Sequence, residues 1–181
     1  MSPTADGMRP RLIATAAAVS IAALVTSAAA AGMRAAASTD AAERCLTREL
    51  VVWLDTRPNH AAGSAYYTLE FTNLSPRTCT LRGYPGVSAV ALNGHRLGTP
   101  ASRNNAHPSR VVTLASGTSA TAVLQIANAD NFPRALCRPT TAAALRVYPP
   151  GAPAAKLIPF PFLACMRTGT VFLHVEAVQR A

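Results

Sequence analysis

Four cysteines, all downstream of an apolar N-terminal segment, constrain this chain more than any other feature. Residues 1–31 carry Arg9 and Arg11, then an uncharged run over 12–31, rich in Ala, Val, Leu and Ile, that closes on small residues around Ala29-Ala30-Ala31. That is the pattern of a Sec-type signal peptide. Cysteines in an exported chain meet an oxidising compartment, so Cys45, Cys79, Cys137 and Cys165 are read as two disulfides rather than as thiols or metal ligands. Four cysteines permit three pairings, and sequence alone does not choose among them. Cys45 with Cys79 and Cys137 with Cys165 is the favoured set, because each bridge then closes a loop of moderate size within a contiguous stretch. A bridge of that span stabilises by roughly 3 to 4 kcal/mol on the chain-entropy account. There is no CxxC spacing to support a zinc site.

The rival to export is an uncleaved membrane anchor, which needs about 20 predominantly apolar residues. Much of the run is alanine, a weak driver of insertion, and no cysteine adjoins the cleavage region to carry a lipid. Cleavage is therefore expected, leaving no transmembrane segment. Residues 32–44 hold Ala, Ser and Thr with a few charges and no apolar periodicity, and read as a flexible tether. Residues 45–181 then suit one domain with one core.

Short β-branched or aromatic runs separated by Pro, Gly and Asn predict an all-β antiparallel fold. Strands are expected over 50–54, 65–72, 87–92, from His95 onward, Val111–Leu114, Ser119–Ala127, 145–148 and 171–178. In the second of these Tyr67, Leu69 and Phe71 alternate with Tyr66, Thr68, Glu70 and Thr72, one apolar face against one more polar. Asn93-Gly94 favours a type I′ hairpin turn. Val171, Leu173 and Val175 alternate against Phe172, His174 and Glu176. Seven or more short strands imply an immunoglobulin-like β-sandwich, with Tyr67, Leu69, Phe71, Leu124, Ile126, Val147, Leu173 and Val175 expected inside. It is not an ordinary immunoglobulin domain. Trp53 lies between Cys45 and Cys79, but those two are too close in sequence to bridge central strands.

Cys45 before the first strand, then Tyr67-Thr68-Leu69-Glu70-Phe71-Thr72-Asn73 and Cys79-Thr80-Leu81-Arg82-Gly83-Tyr84-Pro85-Gly86-Val87, form a distinctive order. With Leu97-Gly98, Val112-Thr113-Leu114, Gly117-Thr118-Ser119-Ala120 and the late cysteine pair, the chain resembles the actinobacterial secreted family of domain of unknown function DUF4232. The resemblance spans residues 45–178. It implies a secreted or envelope β-sandwich and brings no activity with it. The same motif has a structural use: Asn73 and Ser75-Pro76 turn the chain, and Pro85-Gly86 makes a tight turn. Asn73-Leu74-Ser75 matches a glycosylation sequon only formally.

Catalytic constellations are sparse. Between Glu70 and Glu176 the only carboxylate is Asp130. His60, His95, His107 and His174 show no ligand spacing and no neighbouring GxSxG. His60 and His107 read as loop residues, and His174 and Glu176 as a solvated pair on one face of the last strand. Met166 is the only methionine beyond the tether, which disfavours a metal carrier. No cofactor is expected.

Charge points elsewhere. The chain holds 17 Lys and Arg against 8 Asp and Glu, a net charge of +9. No acid occurs over residues 71–129, whereas Arg77, Arg82, Arg96, Arg103 and Arg110 do. A basic surface attracts anionic partners without specifying them. Export disfavours nucleic acid, which leaves an anionic envelope polymer, a lipid headgroup or an acidic protein, with Arg96, Arg103 and Arg110 as contacts. A non-enzymatic binding module is the expectation. The alternative is a secreted hydrolase whose site would gather His174 or His107 with Asp130 or Glu176.

Overall fold

The structure, a computed structural model, describes residues 42–181. The expected signal peptide over 1–31, and all but the last three residues of the expected tether over 32–44, lie outside the described residues. The strands in chain order are β1 (Leu50–Ala61), β2 (Ser64–Asn73), β3 (Cys79–Arg82), β4 (Gly86–Val90), β5 (Arg96–Leu97) and β6 (Ser102–Asn104). There follow β7 (Val111–Leu114), β8 (Ser119–Ala127), β9 (Pro139–Tyr148), β10 (Lys156–Cys165), β11 (Leu173–Glu176) and β12 (Gln179–Arg180). One helical turn, α1 (Arg134–Cys137), precedes β9.

Period-two alternation sorts these strands into layers. A six-stranded sheet runs β1-β2-β8-β11-β6, with β12 also pairing β8; a four-stranded sheet runs β10-β9-β4-β5, and β3 pairs β7. Leu69 and Phe71 of β2, Leu124 and Ile126 of β8 and Val175 of β11 meet Val87, Leu145, Val147 and Ile158 of the other sheet in one buried cluster. The fold is an all-β sandwich. Seven of the eight expected core residues are buried, and Tyr67 is half-buried, its ring edge-on to Phe160 of β10 at 5.0 Å.

Both favoured disulfides are present. Cys45–Cys79 and Cys137–Cys165 have Cα separations of 4.9 and 4.4 Å. The first ties the N-terminal segment to β3, alongside which residues 42–44 already lie: the Thr80 amide donates to Glu43 O at 2.8 Å and the Cys45 amide to Thr80 O at 3.0 Å. Residues just ahead of Cys45 therefore already pack along β3.

Several expectations need correction. No strand is expected over 156–165, yet β10 occupies it and contains Pro159 and Pro161. The prolines, which have no amide to donate, are tolerated because β10 is an edge strand whose register shifts between Pro159 and Phe162. β9 begins at Pro139, well before the expected 145. The sheet is not wholly antiparallel, since β11 and β6 run parallel. Phe172 is fully buried rather than on the polar side, because β11 starts only at Leu173 and the alternation does not extend back to it.

Two hairpins exchange roles. At Asn93-Gly94 only Gly94 has positive φ, and the Gly94 amide donates to Ala91 O while the Ala91 amide donates to His95 O. This is a three-residue loop, a tight turn closed by a left-handed glycine, not the two-residue type I′ form. The type I′ signature, positive φ at both central residues, occurs instead at Ala62 (46°) and Gly63 (71°) between β1 and β2. The Gly63 carbonyl there accepts from the Asn128 amide and from Asn131 Nδ2.

Candidate functional site

The six side-chain carboxylates among the described residues are Glu43, Glu49, Asp55, Glu70, Asp130 and Glu176. None belongs to β4, β5, β9 or β10. Asp55, Glu70 and Glu176 stand on the outer face of the six-stranded sheet, because their strand neighbours Leu54, Leu69 and Val175 fill the core. Two acid-free runs of sequence, 71–129 and 131–175, thus become a spatial segregation. One sheet carries no acid, and the outer face of the other collects half of them.

Of the basic residues over 71–129, Arg77 is a structural group. Its Nε donates to Glu49 Oε1 at 2.9 Å, Nη2 reaches Glu49 Oε2, and Nη1 is 3.6 Å from Glu43 Oε2. The Arg77 hydrogen bond, followed by that of the Leu46 amide, holds the Glu49 carboxyl below the usual carboxylate range. Among the described residues no carboxylate side chain lies within ion-pair distance of Arg82, Arg96, Arg103 or Arg110.

These arginines occupy two settings. Arg103 is on edge strand β6 with its guanidinium carbon 5.4 Å from the centroid of the Tyr84 ring, and the Tyr84 hydroxyl donates to Asn105 Oδ1 at 2.7 Å. Arg110 ends the loop that Asn105 begins, and leads into β7, whose Val111 pairs with Arg82. Arg82, Arg103 and Arg110 therefore border connected loops around Tyr84. Arg96 is elsewhere, exposed on β5 of the four-stranded sheet opposite Val90. The structure joins two of the three proposed contact residues to one loop and places the third on the other sheet.

A polar cluster spans β6, β11 and the loop after β6. Parallel pairing sets Ser102 beside His174 and Asn104 beside Glu176. Ser102 Oγ is 2.6 Å from His174 Nδ1, Asn104 Nδ2 donates to Glu176 Oε1 at 3.4 Å, and His107 Nε2 is 3.6 Å from Glu176 Oε2. Glu176 engages Asn104 and His107, and among the described residues no carboxylate orients His174. The His107–Glu176 pair lines a cavity of about 130 Å³, below the several hundred Å³ of usual small-molecule sites. Ser102 carried no sequence signal, because only the parallel β6–β11 pairing brings it to His174. Asp130 is exposed in the 3-10 turn Ala129–Asn131, outside this cluster.

His60 is in β1 rather than in a loop. It borders an apolar groove of about 460 Å³ at the β1–β2 turn, together with Ala61, Ala65, Ile126 and Phe162. No grouping of three or more His, Cys, Asp or Glu able to hold a metal ion occurs among the described residues. No helix among them is long and apolar enough to cross a membrane.

The family model described as Domain of unknown function (DUF4232) matches residues 45–179. No curated protein and no solved structure matches.

Proposed function

The chain belongs to the DUF4232 family, and from that premise we propose that it is an exported or envelope-held binding module that catalyses nothing. Its partner is an anionic envelope component or an acidic protein, met through arginines that no carboxylate neutralises. The actinobacterial envelope suggested by the family resemblance is its setting. What supports this reading above all is the segregation of charge: a four-stranded sheet without a carboxylate, and Arg82, Arg96, Arg103 and Arg110 unpaired among the described residues. Two disulfides fit an oxidising compartment. Loops on a sandwich stapled in this way present side chains with little ordering cost on binding.

Replacing Arg96, Arg103 and Arg110 together by Ser tests the proposal. Retention on isolated cell envelope should weaken, and the parent's retention should fall as salt rises, since exposed charges are screened beyond about 8 Å at physiological ionic strength. Thermal stability should change little, because all three side chains are exposed. Unchanged, salt-insensitive retention of the triple variant would remove the proposal. A secreted hydrolase is the second reading, favoured by the 2.6 Å contact between Ser102 Oγ and His174 Nδ1. It requires ester or amide hydrolysis that disappears in Ser102→Ala.

A further inference from the structure

The outer face of the four-stranded sheet carries apolar side chains among its arginines. Pairing register sets Leu157 of β10 across from Arg146 of β9, Arg146 across from Ser88 of β4, and Pro159 across from Ala144. The intervening row, Ile158, Leu145 and Ala89, is buried. Leu157, Arg146, Pro159 and Tyr148 therefore point away from the core. Leu157 is 61 % exposed. Arg146 Nη2 donates to Gly94 O at 2.8 Å, which holds the tip of the β4–β5 hairpin beside this face. On that tip Leu92 is 94 % exposed, and Arg96 follows on β5.

We infer that this face docks on an anionic lipid bilayer, with Leu92 entering the acyl boundary, Arg96 at the headgroup phosphates and Arg146 bracing the hairpin. The inference rests on the anionic-partner reading above and narrows the partner to one source. A soluble polyanion would use the arginines and leave Leu92 and Leu157 in water. A bilayer interface uses both, because binding there grows with buried apolar area and with attraction of basic residues to anionic lipid. Charge complementarity is favourable across the whole sheet, which contains no carboxylate. Each arginine near such a surface is worth roughly fivefold in partitioning at moderate ionic strength.

The single tryptophan of the chain is Trp53, in β1 of the opposite sheet. Leu92→Trp in a Trp53→Phe background therefore places the only indole at the hairpin tip of the full chain. With vesicles of equal phosphatidylcholine and phosphatidylglycerol its emission should shift to the blue. It should stay unshifted with phosphatidylcholine alone. Adding Arg96→Ser should weaken partitioning about fivefold. The readout is local, so lipid contact made by residues 12–31 does not register as insertion of the tip. Circular dichroism verifies folding, and Leu92→Ser in the unaltered background should lose cosedimentation relative to the parent. Unshifted emission on the mixed vesicles overturns the inference, as does a shift that appears without lipid and grows with protein concentration, which would report self-association. Titration with dextran sulfate separates the two levels. If the polymer still binds and the arginine triple variant does not, the bilayer is excluded and the anionic-partner reading stands; if neither vesicle nor polymer binds, both fall.

Discussion

Asn73 offers the sharpest test of how this fold is held, because one fully buried amide joins three chain segments. Its Nδ2 donates to Arg77 O at 2.8 Å and to Leu114 O at 3.1 Å, and its Oδ1 accepts from the Ser75 amide at 3.0 Å and the Ser75 hydroxyl at 2.8 Å. The end of β2, the turn into β3 and the end of β7 are thereby fixed together. Asn73→Ala leaves the buried contact at the Leu114 carbonyl without its donor, at about 1 to 3 kcal/mol. The bonds at Ser75 and Arg77 reach part-buried groups that water can serve, adding about 1 kcal/mol more. The expected loss is about 2 to 4 kcal/mol, read from urea unfolding by circular dichroism with the disulfides intact. Asn73→Asp keeps the Ser75 bonds but turns a charged oxygen toward two carbonyls, so near neutral pH it should cost more than Ala. Its carboxyl must then titrate higher in the folded state than the roughly 3.9 of an unfolded Asp. The sign follows: the variant should lose stability as pH rises above that value and regain part of it in acid, where the protonated group can donate. An Ala variant within about 0.5 kcal/mol of the parent, well under the cost of an unpaired buried acceptor, would refute this reasoning. So would an Asp variant no worse than Ala. The burial also means that the formal sequon at Asn73 cannot carry a glycan in the folded domain.

Leu69→Ala or Phe71→Ala should each cost about 2 to 5 kcal/mol in the same unfolding assay, because both side chains are fully buried between the sheets. Gly98→Ala should cost about 2 to 4 kcal/mol, since an added Cβ would lie 2.6 Å from Phe172 Cε1 and 2.7 Å from Cys165 O at a φ of 60°. Gly117→Ala, with positive φ but nothing within 4 Å, should cost only about 1 kcal/mol. The lowered Glu49 carboxyl contributes stability above its unfolded pKa, and that contribution is lost as pH falls through the lower folded value. Thermal midpoints followed into acid should therefore fall less steeply for Glu49→Gln than for the parent, and parallel curves would mean that the pair with Arg77 contributes nothing.

Short β-branched runs and period-two alternation were enough to locate the centre of β2 and all of β7 and β8, and to mark Leu69, Phe71, Leu124 and Ile126 as buried, because those signals are local and each strand carries them alone. The even cysteine count after an export-like segment and the moderate loops within each half likewise favoured the two bridges that form. Other features depended on partners far away in the chain. Pro159 and Pro161 are admissible only because β10 finds itself at a sheet edge, and Ala62 accepts a left-handed conformation in a hairpin that the 128–131 segment clamps from outside. Arg77 could not be told from the other arginines of its stretch until Glu49 folded back onto it, and Ser102 met His174 only through a parallel pairing that no local pattern encodes. The missing acids were plain in the sequence. That their absence clears one whole sheet while three carboxylates share the outer face of the other was decided by strand order, which depends on long-range pairing rather than on neighbouring residues.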